Sequence, residues 1–213
     1  MAGNRFRVGN RTQQDAGESK EAGSPVEPGR ADTKALAVLC MTFFLVALDN
    51  TIINVALPTL ERSLGSSTTA LQWITDVYTT AFAGLIIVGG HLADRLGRRE
   101  VLQSGLVAFV LGSLVALGAH SSNVVITGRL VMGIGAALAV PASLSMPIDV
   151  FPAPRQRHTA IAGWTASAGL GVALGPLVGG ALLTRFRWGS IFLANIAVAG
   201  LALLASGLLL PKS

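Results

Sequence analysis

Two ionisable residues, Asp49 and Arg129, sit inside long apolar runs of the chain. A charged side chain deep in a membrane-spanning helix costs roughly 2.5–3.5 kcal/mol on insertion scales, so it generally has a function or a partner. Asp49 falls about nine residues below the outer end of its run and Arg129 about six below that of its own, or about 13 and 9 Å at 1.5 Å rise per residue. At those depths the two can meet, directly or through water. One reading is a protonatable acid tuned by burial and a neighbouring cation. The other is a static ion pair that holds two helices together. Asn54, five residues beyond Asp49, suits either a cavity hydrogen bond or helix packing.

A second cluster lies in Gly90-His91-Leu92-Ala93-Asp94-Arg95-Leu96-Gly97-Arg98-Arg99. This tight basic stretch joins the apolar runs Trp73 to Gly90 and Val101 to Ala119. A membrane protein keeps such a loop on the cytoplasmic side. Asp94 falls at a helix C-terminus, where the dipole disfavours an acid. It therefore needs cations, and an Asp94–Arg98–Asp149 network is expected. Three histidines, His91, His120 and His158, lie apart near run ends, without metal-ligand spacing. An intramembrane serine hydrolase would need a histidine at the depth of its serine, and none is placed there.

The elements that must position these residues follow from composition. Hydrophobic residues make up 51% of the chain and charged residues 13%, against roughly 25% charged in soluble domains. Residues 1–34 hold 11 of the 27 charged side chains and read as a disordered cytoplasmic tail. Six runs follow, at about 35–57, 71–92, 101–119, 123–146, 159–183 and 189–210, each long enough to cross roughly 30 Å of hydrocarbon. Pro141 and Pro147 are expected to bend or unwind the fourth near its inner end. With the N-terminus inside, twelve Lys and Arg face inward and three outward, which favours cytoplasmic termini. The net charge of +5 does not point to nucleic acid, because the basic residues sit at run ends. The result is an all-α, multi-pass membrane protein whose main partner is the bilayer. Gly89-Gly90-His91-Leu92 with Arg95 recurs as Gly179-Gly180-Ala181-Leu182 with Arg185, as an inverted three-plus-three repeat would produce.

The loop pattern Gly-x-Leu-Ala-Asp-Arg-x-Gly-Arg-Arg resembles the hallmark loop of the major facilitator superfamily of transporters, with Gly90, Asp94, Arg95, Gly97, Arg98 and Arg99 matching it. Leu48-Asp49-Asn50-Thr51-Ile52-Ile53-Asn54-Val55-Ala56-Leu57-Pro58 resembles the first-helix motif of its fourteen-helix drug:proton antiporter branch. Leu71-Gln72-Trp73 and Tyr78 fit that branch at the second helix. Arg129 with Gly133, Gly135, Ala136 and Ala137 resembles the fourth-helix motif, with Met132 in place of its usual glutamine. Gly171, Gly175, Pro176, Gly179 and Gly180 are similar to the fifth-helix antiporter motif. Trp188, Phe192 and Asn195 fit the start of the sixth helix, with Ala197 where a proline is common.

The resemblance implies the N-terminal half of a major facilitator fold, a secondary transporter rather than an enzyme. Its expected activity is export of drugs or other small lipophilic compounds in exchange for protons, across the cell membrane. Asp49 is then the expected coupling residue, with Arg129 and Asn54 beside it in the cavity. No cofactor is expected; the proton gradient supplies the energy. The glycines at 171, 175 and 179 share one helix face and read as close packing. The resemblance adds a bend at Pro176 and a barrier to proton leak. Six helices are half of what the family uses, so a further half or second chain is expected as a partner. The alternative is a truncated, non-transporting fragment, and alone the chain is expected not to transport.

Overall fold

The computed structural model describes residues 30–151 and 153–210, without the side chains of Arg30, Ala31 and Asp149. The expected 1–34 tail therefore lies outside the described residues up to position 29. Six helices follow in order: α1 Arg30–Leu64, α2 Thr68–Leu96, α3 Arg98–Leu117, α4 Ser122–Val150, α5 Pro154–Arg185 and α6 Ser190–Leu209. All six are long and apolar enough to cross a membrane. Helices α1, α2, α4 and α5 outrun the apolar spans, because a helix need not stop where the hydrocarbon does. Polar residues such as Glu61, Arg62, Asp94 and Arg95 continue it into the interface.

Local chemistry sets the turns. Ser67 caps α2, its hydroxyl accepting from the Ala70 N–H at 3.3 Å. Between α2 and α3 the chain reverses through the single residue Gly97, at φ +103°, a conformation that L side chains rarely adopt. Pro154 opens α5, where a missing N–H costs nothing.

The helices pack through small residues rather than large ones, as expected where lipid is as apolar as leucine. Helices α3 and α4 interlock: a Cβ on Gly112 would stand 2.6 Å from the Gly128 carbonyl oxygen, and one on Gly105 2.6 Å from that of Gly135. Helix α5 lies on α1, where a Cβ on Gly171 would stand 2.6 Å from the Phe44 carbonyl oxygen. Helix α2 lies on α4 in the same way, with Gly133 against the Tyr78 carbonyl. The α2–α4 and α5–α1 pairs exchange when residues of the first three helices are swapped for the last three, as a three-plus-three repeat requires. The repeated glycines share a role, since Gly89 packs on Ala137 of α4 and Gly179 on Ile52 of α1.

The unwinding expected at the prolines of α4 does not occur. Helix α4 stays helical through Pro141 and Pro147 to Val150. Pro141 has no N–H to offer the Ala137 carbonyl, and Gly89 covers that carbonyl directly. Hydroxyls of Ser143 and Ser145 donate to the Val140, Pro141 and Ala142 carbonyls nearby. Helix α5 likewise runs unbroken past Pro176, which is exposed.

The outward surface is greasy. Ile87 on α2 and Leu208 on α6 are more than four-fifths exposed, at 83% and 85%. Such a surface is unfavourable in water and favourable in hydrocarbon.

Candidate functional site

Asp49 of α1 and Arg129 of α4 meet inside the bundle, each only 1% exposed. The Arg129 Nη1 donates to Asp49 Oδ2 at 2.5 Å. Three further groups complete the cluster. The Arg129 Nε donates to the Ile74 carbonyl of α2 at 3.0 Å. The guanidinium lies over the Tyr78 ring, 4.1 Å from its centroid, a cation–π contact. The Asn195 Nδ2 of α6 donates to Asp49 Oδ1 at 2.6 Å. Four helices thus converge on one carboxylate and one guanidinium.

The fold dictates this convergence. Helix α4 packs on α1, α2 and α3, so an arginine on it reaches groups from α1 and α2 at once. Ile74 and Tyr78 lie one turn apart on the buried face of α2. Asn195 stands in the second turn of α6, directed inward with Ile191 and Ala199 of the same face. Buried charge of this kind persists only when paired and hydrogen-bonded. Here each Asp49 oxygen accepts one charge-strengthened bond.

Tyr78 and Asn195 are members that reasoning from residue type did not single out. Each entered only as part of a motif, without a role. The available signal was spacing for Tyr78, one turn after buried Ile74. For Asn195 it was a lone amide in an otherwise apolar run.

Asn54 does not join the cluster. It is exposed, and its Nδ2 donates to the Asn50 carbonyl one turn back at 2.9 Å. Asp76 stands apart too, in the third turn of α2, exposed, with its Oδ1 accepting from the Thr75 hydroxyl at 3.3 Å.

The α2–α3 turn forms a second polar centre. Asp94 and Arg98 pair at 3.5 Å, one helical turn apart. Arg98 Nη1 also donates to the Ser145 carbonyl near the end of α4, at 2.8 Å. The third expected member, Asp149, lies in α4, and its side chain is outside the described residues. Arg99 Nη2 donates to the Gly207 carbonyl of α6 at 2.7 Å, while Arg95 is exposed. This basic turn therefore ties together α2, α3, α4 and α6 at one end of the bundle. Gly90 approaches Pro141, its would-be Cβ 3.8 Å from the proline Cβ.

On α5, Gly171, Gly175 and Gly179 are buried against α1, with Gly175 directly over the Thr51 hydroxyl. Gly180 faces open space. Trp164 stacks on Phe43 at 3.8 Å, and its Nε1 donates to Ser143 Oγ at 3.1 Å, joining α5 to α1 and α4.

Six apolar helices in an inverted repeat, a buried charge pair and a basic turn at one end of the bundle define a multi-pass membrane protein of a transporter family. The chain belongs to the Major Facilitator Superfamily, whose family profile matches residues 39–213. It is 39% identical over 163 residues to the methyl viologen resistance protein SmvA of Salmonella typhimurium, covering 76% of this chain and 33% of that protein. It is 38% identical over 179 residues to the multidrug efflux pump LfrA of Mycolicibacterium smegmatis, covering 84% of this chain and 36% of that pump. The chain thus spans about a third of the length of the curated relatives it matches. A crystal structure of the peptide transporter POT superposes with a TM-score of 0.74 at 20% identity, covering 82% of this chain and 37% of that one. That likeness concerns the fold.

Proposed function

We propose that this chain is one six-helix unit of a proton-coupled exporter of lipophilic, often cationic compounds. It works across the cell membrane, with both termini cytoplasmic. The observation that carries the reading is the Asp49–Arg129 pair, buried at the meeting point of α1, α2, α4 and α6. The names of the relatives, a methyl viologen resistance protein and a multidrug efflux pump, support export as the direction and a cation as the cargo class.

The chemistry follows from the pair. A proton on Asp49 removes the charge that holds Arg129, and with it the strongest polar tie between α1 and α4. A proton can therefore change how these helices pack, and a proton gradient can drive that change in one direction. The Asp94–Arg98 turn ties the helix ends at one face and is the natural latch for alternating access. A second helical unit, on the same or another polypeptide, closes the substrate path at the midplane.

The test is proton-driven uptake of a lipophilic cation into inside-out vesicles holding the chain together with its second unit, the direction that corresponds to export from the cell. Asp49→Asn is expected to abolish proton-driven transport. It should leave binding of the cation measurable. Unchanged proton-driven transport in Asp49→Asn refutes the assignment. Flux through the chain reconstituted alone refutes the need for a second unit.

A further inference from the structure

The inference concerns Asn195 and rests on reading Asp49 as the proton site. Asn195 is fully buried, and its two amide atoms are unequally used. Nδ2 donates to Asp49 Oδ1 at 2.6 Å. Oδ1 is buried without a hydrogen-bond partner among the described residues. A buried unpaired acceptor carries a desolvation cost. Apart from Arg129, which pairs with Asp49, and Tyr78 beneath the guanidinium, the charged groups of the helices around Asn195 lie elsewhere. Arg129 comes from α4 and Tyr78 from α2. The charged residues of α3 (Arg98, Arg99, Glu100) stand at its first turn. Those of α5 (Arg155, Arg157, His158, Arg185) stand at its ends.

An ionised carboxylate only accepts hydrogen bonds, whereas a protonated one must also donate. The amide in its observed orientation serves the first state alone. Turned half a revolution about Cβ–Cγ, the same side chain presents Oδ1 to Asp49 and serves the second. The volume occupied is unchanged. We propose that Asn195 is an amide rotor, a positioning residue that donates to ionised Asp49 and accepts the O–H of protonated Asp49. The proton enters and leaves on Asp49; the amide exchanges none. The unused oxygen is the half of the amide held ready for the second state. Both protonation states then have a partner within the bundle, without water between α1 and α6.

Infrared difference spectra of the chain in liposomes, taken between alkaline and acidic pH, test this. The protonated carboxyl of Asp49 should give a C=O band at the lowered frequency of a hydrogen-bonded acid, absent in Asp49→Asn. In Asn195→Leu, which removes the acceptor of the Asp49 O–H but leaves Arg129 donating to Oδ2, that band should move up. In Asn195→Ser, whose hydroxyl both donates and accepts, it should stay low. With asparagine amide nitrogen isotopically labelled in the unsubstituted chain, a label-sensitive side-chain band should change together with the carboxyl band. This readout does not depend on any variant folding. A carboxyl band unmoved in folded Asn195→Leu, or a missing label-sensitive change, overturns the rotor while leaving Asp49 as the proton site. A spectrum in which Asp49→Asn removes no carboxyl band overturns the underlying reading itself.

Discussion

Removing the two members of the buried pair one at a time should have unequal consequences, and the inequality reports whether Asp49 takes up a proton. Breaking a buried pair by deleting one partner costs about 3–5 kcal/mol, because the survivor is left as an uncompensated charge. In Asp49→Asn the survivor is Arg129. It keeps the Ile74 carbonyl at 3.0 Å and the Tyr78 ring at 4.1 Å. A cation–π contact of this kind is worth about 0.5–2 kcal/mol. The loss should therefore fall near the lower end, about 3 kcal/mol. Arginine cannot shed its proton, so this loss should hold wherever Asp49 of the parent is ionised and shrink at acidic pH as the parent's own Asp49 is protonated.

In Arg129→Met the survivor is Asp49, left with only the Asn195 amide. At alkaline pH the loss should approach about 5 kcal/mol. At acidic pH a proton on Asp49 removes the stranded charge, and the loss should shrink to about 1 kcal/mol, the worth of a neutral hydrogen bond. The double variant Asp49→Leu with Arg129→Met should recover most of either loss. Only the Asn195 amide is then left unpaired, at about 1–3 kcal/mol. The assay is equilibrium unfolding of the chain in mixed micelles at two pH values, each variant referred to the parent at the same pH. An Arg129→Met loss that is the same at both pH values refutes the reasoning. The pair would then be a static tie, with Asp49 locked in one protonation state.

The remaining predictions concern packing. Gly128→Ala should lower the unfolding temperature, at a cost of about 1–3 kcal/mol. Its methyl would lie 2.7 Å from the Gly112 carbonyl oxygen, which is backbone and cannot yield cheaply. Gly163→Ala, where a Cβ meets nothing within 4 Å, should be neutral or stabilise α5 by about 0.5–1 kcal/mol in the same scan. Gly97→Ala forces a Cβ onto a residue at φ +103° and should cost about 1–3 kcal/mol by denaturant titration. Trp164→Phe keeps the stack on Phe43 but loses the bond to Ser143. The expected loss is about 1 kcal/mol, and it should vanish in a Ser143→Ala background if the bond is its cause.

What the sequence made legible was whatever hydrocarbon makes expensive. Six helices are legible because nothing else carries such long apolar runs across a bilayer. The Asp49–Arg129 meeting is legible because two charges in those runs demand partners and their depths agree. The face formed by Gly171, Gly175 and Gly179 is legible because four-residue spacing repeats along one side of a helix. The interlock of Gly105 and Gly112 with Gly135 and Gly128 was not. Seven-residue spacing marks a face on each helix, but only tertiary packing decides which two faces meet. The unwinding expected at Pro141 failed for a similar reason. A proline weakens the helix locally, and a neighbouring helix can make the loss good, as Gly89 does over the freed carbonyl.

Asn195 and Tyr78 were hidden by their modest cost. A neutral amide or phenol in a membrane helix finds partners readily, so its presence alone says little about a site. These residues acquire meaning only from the charges they touch. The sequence therefore exposes the charged pair and conceals the neutral groups that hold it. Yet those neutral groups decide how the pair behaves. A carboxylate and guanidinium with no other contacts would be a static tie. Under the reading proposed above, a ring to hold the cation and an amide that turns to face either state would let the carboxylate change its protonation state without either charge being stranded. A search for coupling sites in related chains should thus begin from buried acid–arginine pairs and ask which amide and which aromatic ring stand against them.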